Sequence, residues 1–139
     1  MKKTLYIFLL LTFTLSVSAQ KNRMSPEKFK KDLEAYIISN ANLTSAEATK
    51  FSAIFNDMMS KQRTLRKQMN TLKKAKCSDE ASCRKNITLR DKLEKDKVNL
   101  QQIYHQKLLK VIPATKVHDI LRAEDSFLRK AFRHAAGKK

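Results

Sequence analysis

The stretch from Leu43 to Leu72, LTSAEATKFSAIFNDMMSKQRTLRKQMNTL, decides the fold. Thr44 and Glu47 have the spacing of a capping box, in which each side chain accepts a hydrogen bond from the other residue's backbone N–H. Leu43 precedes the box, where an apolar residue packs against the helix that follows. Apolar residues then recur at alternating spacings of four and three, as in a coiled-coil seam. The pattern predicts one helix to about Lys76, roughly 48 Å long. The seam comprises Phe51, Phe55, Met58, Gln62, Leu65, Met69 and Leu72.

Three further helices are predicted around this one. Residues 25–27, Ser-Pro-Glu, form a helix start for a segment that reaches Ser39. A third helix spans about 80–111, and Pro113 starts a fourth that frays over residues 135–139. The third helix has Ile87, Leu93, Val98, Leu100, Ile103, Tyr104, Leu108 and Val111 as its apolar residues. The fourth has Val117, Ile120, Leu121, Phe127, Leu128 and Phe132.

The order of these segments predicts an all-α fold, a long antiparallel helical hairpin with a shorter helix at each end. One such layer buries too little apolar surface to offset the chain entropy comfortably. We therefore also predict a homodimer.

The N-terminus is typical of a cleavable signal peptide. Lys2 and Lys3 are followed by an apolar run over residues 5–15 and by small residues ending at Ala19. This run is shorter than the roughly 20 residues that span a bilayer. We predict a signal peptide at residues 1–19, a single helical domain at residues 20–139, and a periplasmic location.

Composition restricts the function. The chain contains one glycine, Gly137, so glycine-rich phosphate loops and dinucleotide-binding turns are excluded. Without Lys2 and Lys3, 28 basic and 13 acidic residues remain, a net charge of +15. Such a surplus attracts anionic partners. Export leaves acidic protein segments, lipid head groups and lipopolysaccharide rather than nucleic acid.

Cys77 and Cys83 are the only cysteines, and they lie where the hairpin must turn. In an oxidising compartment a disulfide between them would fix this turn. Free thiols, intermolecular pairing and catalysis remain as alternatives. Redox-active pairs usually have CxxC spacing, and metal sites need further ligands.

The remaining candidate groups do not predict an enzyme. His105, His118 and His134 lack the spacing of metal ligands and are interpreted as ordinary surface or half-buried residues. Met58 and Met69 lie on the predicted seam, which favours core packing over copper binding. We predict no catalytic residue, no metal site and no cofactor.

The charge pattern of the second helix is more informative. No acidic residue occurs between Asp57 and Asp79, whereas a solubilising face normally alternates both signs. A solvated face is the plain alternative. A field of one sign beside flexible methionines is also typical of a surface that captures partly unfolded chains. The predicted client-binding residues are Met58, Met59, Lys61, Arg63, Arg66, Lys67, Lys73 and Lys74.

Two segments resemble a known family. Residues 43–51, Leu-Thr-Ser-Ala-Glu-Ala-Thr-Lys-Phe, resemble the motif of the Spy/CpxP-like (LTXXQ-motif) periplasmic proteins, in the Bacteroidetes-type version that has Glu in the last motif position. Residues 111–117, with 121–124 and Phe127, are similar to the family's second such region, but have Ile-Pro where Leu-Thr is expected. Cys77 and Cys83 are not part of the motif.

The resemblance implies a cradle-like all-α dimer that acts as an ATP-independent periplasmic chaperone. Leu43, Thr44 and Glu47 would serve as helix-capping residues. The family also implies two alternatives, an envelope-stress regulator that docks on a membrane sensor or anti-sigma factor, and a metal-responsive sensor. The sparse set of ligands argues against the last.

Overall fold

A computed structural model describes residues 25–137, so the predicted signal peptide lies outside the described part of the chain. The described residues form four α-helices and no strand, which confirms the predicted all-α class. The helices are α1 (Pro26–Asn40), α2 (Ser45–Lys74), α3 (Glu80–Val111) and α4 (Ala114–Ala136). The main difference from the predicted bounds is that α4 continues to Ala136, where fraying was expected.

The described chain divides into two compact units, the first ending at Asp32 and the second beginning at Leu33. The described part of the first unit is the beginning of α1. There the Lys28 N–H donates to Ser25 Oγ at 3.1 Å, which confirms Ser25 as the cap. Lys28 Nζ also donates to Asp32 Oδ2 at 2.6 Å, one helical turn away. The second unit contains the rest of α1 together with α2, α3 and α4.

The helices α2 and α3 form an antiparallel hairpin. Asn86 Nδ2 donates to the backbone oxygen of Leu72 at 3.0 Å, near the turn. Lys107 Nζ lies 3.5 Å from Asp57 Oδ2, much farther along the pair. Residues later in α3 thus pair with residues earlier in α2, as the predicted hairpin requires. Helices of 30 and 32 residues are about 45 and 48 Å long.

Burial is concentrated at one end of the second unit. We call residues 33–58 and 104–136 the core end, because every buried residue of the described chain lies in these ranges. Phe51, Phe55, Ile37, Leu108 and Ile120 have no accessible surface. Each of the four helices contributes buried residues here, with Leu33 and Ile37 coming from the part of α1 that belongs to the second unit. The core is therefore built where α2 begins and α3 ends.

Polar contacts join α4 to the end of α1. Tyr36 Oη shares a hydrogen bond with Ser126 Oγ at 3.2 Å, and Lys130 Nζ donates to the same hydroxyl at 3.1 Å. The centroid of the Tyr36 ring lies 5.3 Å from the centroid of the Phe127 ring. The hydrogen bond with Ser126 and, to a smaller extent, the one from Lys130 hold the pKa of Tyr36 below its ordinary value. The contacts fix the rotation of α4 on the core end.

The rest of the hairpin has a different interior. We call residues 59–103 the distal half, and none of its residues is buried. Leu65, Met69 and Leu72 of the predicted seam are half-buried, as is Leu93 in α3. Two helices alone shield only one side of each other's apolar residues, so the distal half is a two-helix layer without a closed core.

Candidate functional site

The capping box begins α2 as predicted. The Glu47 N–H donates to Thr44 Oγ1 at 3.2 Å, and the Thr44 N–H donates to Glu47 Oε2 at 2.9 Å. These bonds satisfy backbone donors that a helix N-terminus leaves without intrahelical partners. Leu43 is half-buried beside the box. The geometry gives Thr44 and Glu47 the structural role that the sequence predicted.

A disulfide joins Cys77 to Cys83 at the turn between α2 and α3, as predicted, with the two Cα atoms 5.1 Å apart. Asp79 lies within the loop as the N-cap of α3, accepting from the Ser82 N–H at 2.8 Å and from Ser82 Oγ at 2.9 Å. The hydrogen bond from the Ser82 backbone and, to a smaller extent, the one from its side chain lower the pKa of Asp79. The turn is held by one covalent bond and by hydrogen bonds on the α3 side.

Five of the predicted basic residues form one surface. Helical periodicity places them within about 120° of the circumference of α2, on one flank of the seam. All are exposed. We call this surface the basic face: Arg63, Arg66, Lys67, Lys73 and Lys74.

Lys61, the sixth predicted residue, lies elsewhere. It falls on the other side of the seam, where its Nζ donates to Asp57 Oδ2 at 2.9 Å. Asp57 also lies 3.5 Å from Lys107 Nζ of α3. The hydrogen bond from Lys61 makes the largest contribution to holding the pKa of Asp57 below its ordinary value, and the charge of Lys107 adds to it. Lys61 therefore belongs to a mixed-charge cluster between the helices.

The two predicted methionines have different positions. Met58 is only 3 % exposed and packs in the core end, so its expected role as a surface contact for clients is wrong. Its place in the heptad seam, between Phe55 and Gln62, is the physical reason. Met59, one residue later, turns off the seam and is half-buried. Met59 is thus the only one of the pair with an accessible side chain.

Several apolar side chains of α3 are exposed instead. Ile87, Val98 and Ile103, which the sequence placed among the apolar residues of this helix, are 58, 53 and 52 % exposed. In the distal half α3 faces only α2, so residues on its other sides meet no partner helix among the described residues. Apolar surface is therefore available on the same hairpin that carries the basic face.

Sequence reasoning missed a partly buried polar cluster between α3 and α4. Glu124 stands in the apolar stripe of α4, three residues before Phe127, and burial, followed by the neighbouring Asp125, raises its pKa to about 7. Burial, followed by the charge of Glu124, also raises the pKa of Tyr104. Tyr104 Oη and His105 Nε2 are buried without a hydrogen-bond partner among the described residues. An acidic residue within an apolar stripe was the signal available in the sequence.

Three features of the described residues bear on other kinds of site. Within residues 25–137, no group of three or more His, Cys, Asp or Glu side chains comes together to hold a metal ion. No helix in this range combines the length and apolarity needed to cross a membrane. A shallow surface depression near the turn is lined by residues of α3 alone, so it does not enclose a ligand.

The chain was compared with models of known families, with curated proteins and with solved structures, and none of them matches it.

Proposed function

We propose that this protein is an ATP-independent holdase that binds unfolded or partly folded proteins in the periplasm, after removal of its signal peptide. The observation that carries the proposal is the basic face, five exposed cations on one side of α2 in a stretch without an acidic residue. It lies on the half of the hairpin that lacks a closed core and exposes apolar side chains.

The proposed mechanism has two steps. The basic face attracts acidic segments of a client at long range, which raises the rate of encounter and weakens with added salt. Apolar contact then retains the client. Because Met58 is buried, this step uses Met59 together with exposed residues of α3 such as Ile87 and Val98. Polarizable, flexible methionines and separate aliphatic side chains accommodate many different sequences.

We also propose that the protein is a homodimer. The distal half leaves its seam half-buried, and Val98 and Ile103 are more than half exposed. A second copy would cover apolar surface that a single two-helix layer leaves in water. Sedimentation equilibrium at micromolar concentration should give twice the protomer mass, and a single-protomer mass at all concentrations contradicts this part of the proposal.

The experiment that tests the holdase is aggregation suppression of a chemically unfolded model client, without ATP, across a salt series. The wild-type chain should suppress aggregation, and less effectively at high salt. Reversing four charges of the basic face should abolish most of the effect at low salt. The variant is R63E/R66E/K67E/K74E.

A matched variant separates the position of the charges from the net charge. The control reverses four exposed basic residues outside the basic face and should retain suppression. Equal loss in both variants, or no loss in the first, contradicts the proposal. Recovery of one stoichiometric membrane protein from an envelope extract, with no suppression of aggregation, indicates the regulator instead. The control is K50E/K110E/R129E/R133E.

A further inference from the structure

The end of the hairpin concentrates positive charge in a small, braced region. We call residues 73–89 the tip. It contains five basic residues, all of them exposed. The Cys77–Cys83 disulfide and the hydrogen bond from Asn86 to the Leu72 backbone oxygen brace the tip. The basic residues of the tip are Lys73, Lys74, Lys76, Arg84 and Lys85.

The two acidic residues of the tip have partners within it. Asp79 accepts hydrogen bonds from the backbone and side chain of Ser82 at the start of α3. Glu80 Oε1 accepts from Arg84 Nη2 at 2.9 Å. Both acidic residues of the tip are therefore engaged, and neither is left to pair with the other four cations. The electrostatic field at this end of the molecule is therefore positive.

Apolar side chains accompany these cations. Ile87 is 58 % exposed and Leu89 is 38 % exposed, within three turns of the start of α3. Basic residues beside a few exposed aliphatic side chains match the interface of an anionic bilayer, where cations meet head groups and aliphatic groups enter the acyl boundary.

We propose that the tip binds end-on to an anionic lipid surface. Two adjacent helix ends present a footprint about 20 Å across, which a plane of phosphate groups contacts at many points. The depression beside Arg84 and Leu89 is shallow and lies on α3 alone, so it does not enclose an extended peptide. The inference goes beyond the proposed function, because it concerns the end of the hairpin and does not require an unfolded client. Lys73, Lys74 and Ile87 belong to both surfaces, so the charge variant of the tip is restricted to residues outside the basic face.

The test is co-sedimentation of the chain from Gln20 onward, which contains every described helix, with lipid vesicles. Vesicles of phosphatidylglycerol and phosphatidylcholine supply the anionic surface, and vesicles of phosphatidylcholine alone are the reference. Binding should occur only to the anionic vesicles and should weaken with salt. K76E/R84E/K85E changes tip charges outside the basic face and should lower vesicle affinity on the order of a hundredfold. Circular dichroism checks that the variant stays helical.

Two matched variants make the test specific. K110E/R129E/R133E has the same net charge as the tip variant but alters the core end, and it should keep vesicle affinity within about threefold. I87S/L89S keeps every charge and should weaken vesicle binding by about tenfold or more through loss of apolar contact.

Equal binding to both kinds of vesicle overturns the proposal, as do equal losses in the two charge variants. Tighter binding to duplex DNA than to anionic vesicles at equal phosphate concentration also overturns it. The lipid-binding proposal for the tip and the holdase proposal can be contradicted independently. A tip variant that loses vesicles but still suppresses aggregation supports the tip proposal, whatever the basic-face variant does. Retained vesicle binding in the tip variant contradicts it, even if client binding is lost.

Discussion

The core end and the distal half are parts of the same two helices, yet they are held together differently. At the core end, Phe51 and Phe55 are fully buried, with ring centroids 5.2 Å apart, because helices from both ends of the chain cover the hairpin. In the distal half the same seam continues through Leu65 and Leu72, but these side chains stay half-exposed. The comparison teaches that a regular heptad pattern specifies a contact, whereas burial depends on how many helices surround it.

The largest effect is expected when one seam residue is truncated in each region. Phe55→Ala should lower the free energy of unfolding by about 3–5 kcal/mol, because it removes a fully buried aromatic ring. Leu72→Ala should lower it by only about 1 kcal/mol, since that side chain is already in partial contact with water. Urea denaturation followed by circular dichroism measures both values. Similar losses in the two variants contradict the proposed division of stability.

A pH titration sharpens the description of the core end. The pKa of Glu124 rises from 4.5 to about 7 on folding, so the folded chain binds this proton more tightly than the unfolded chain does. The contribution of Glu124 to stability should thus be greatest below pH 4.5 and fall as the pH rises to about 7, with little further loss from this group above that. The total loss in the free energy of unfolding is about 2 kcal/mol. This loss is smaller than the full pKa shift implies, because the carboxyl keeps some contact with solvent.

Glu124→Gln is the matched variant for this titration, since it keeps the size of the side chain and cannot ionise. Its free energy of unfolding should be nearly constant between pH 4.5 and 7. Thermal unfolding across this range measures the slope. A slope equal to that of the wild-type chain assigns the pH dependence to another group.

Removal of the disulfide tests the distal half. Cys77→Ser with Cys83→Ser should lower the free energy of unfolding by about 2 kcal/mol, the loop-closure value for so short a loop. Amide hydrogen exchange should become faster in the first turns of α3, around residues 80–90, and stay slow near Phe51 and Leu108. Reduction of the wild-type chain should reproduce this pattern. Faster exchange at the core end would show that the two regions unfold together.

Much of the fold was predictable because its signals are local. Ser25, Thr44 and Glu47 cap helices through bonds that span three residues, so their spacing in the sequence contains the information. The disulfide was predictable for a similar reason, since six positions separate Cys77 from Cys83 at the only place where the hairpin can turn.

The errors concern contacts between distant segments. The periodicity of α2 placed Met58 on the seam, but nothing local showed that the end of α1 and α4 would meet at the same end of the hairpin, where Met58 is buried. Ile87 and Val98, which the sequence named only as apolar residues of α3, are exposed because no further helix among the described residues covers the distal half. The cluster of Tyr104 and Glu124 depends on the packing of α4 against α3. The homodimer, the client and the lipid surface remain predictions.

The way α1 ends has a consequence for the order of events during synthesis. Lys116 Nζ donates to the backbone oxygens of Ala41 and Asn42, at 3.3 and 2.5 Å. A residue near the beginning of the last helix thus satisfies carbonyl groups of the turn that follows α1, across about 75 positions of chain. Assembly of this junction therefore waits until most of the chain has left the ribosome, and a polypeptide that stops short of Lys116 cannot complete it.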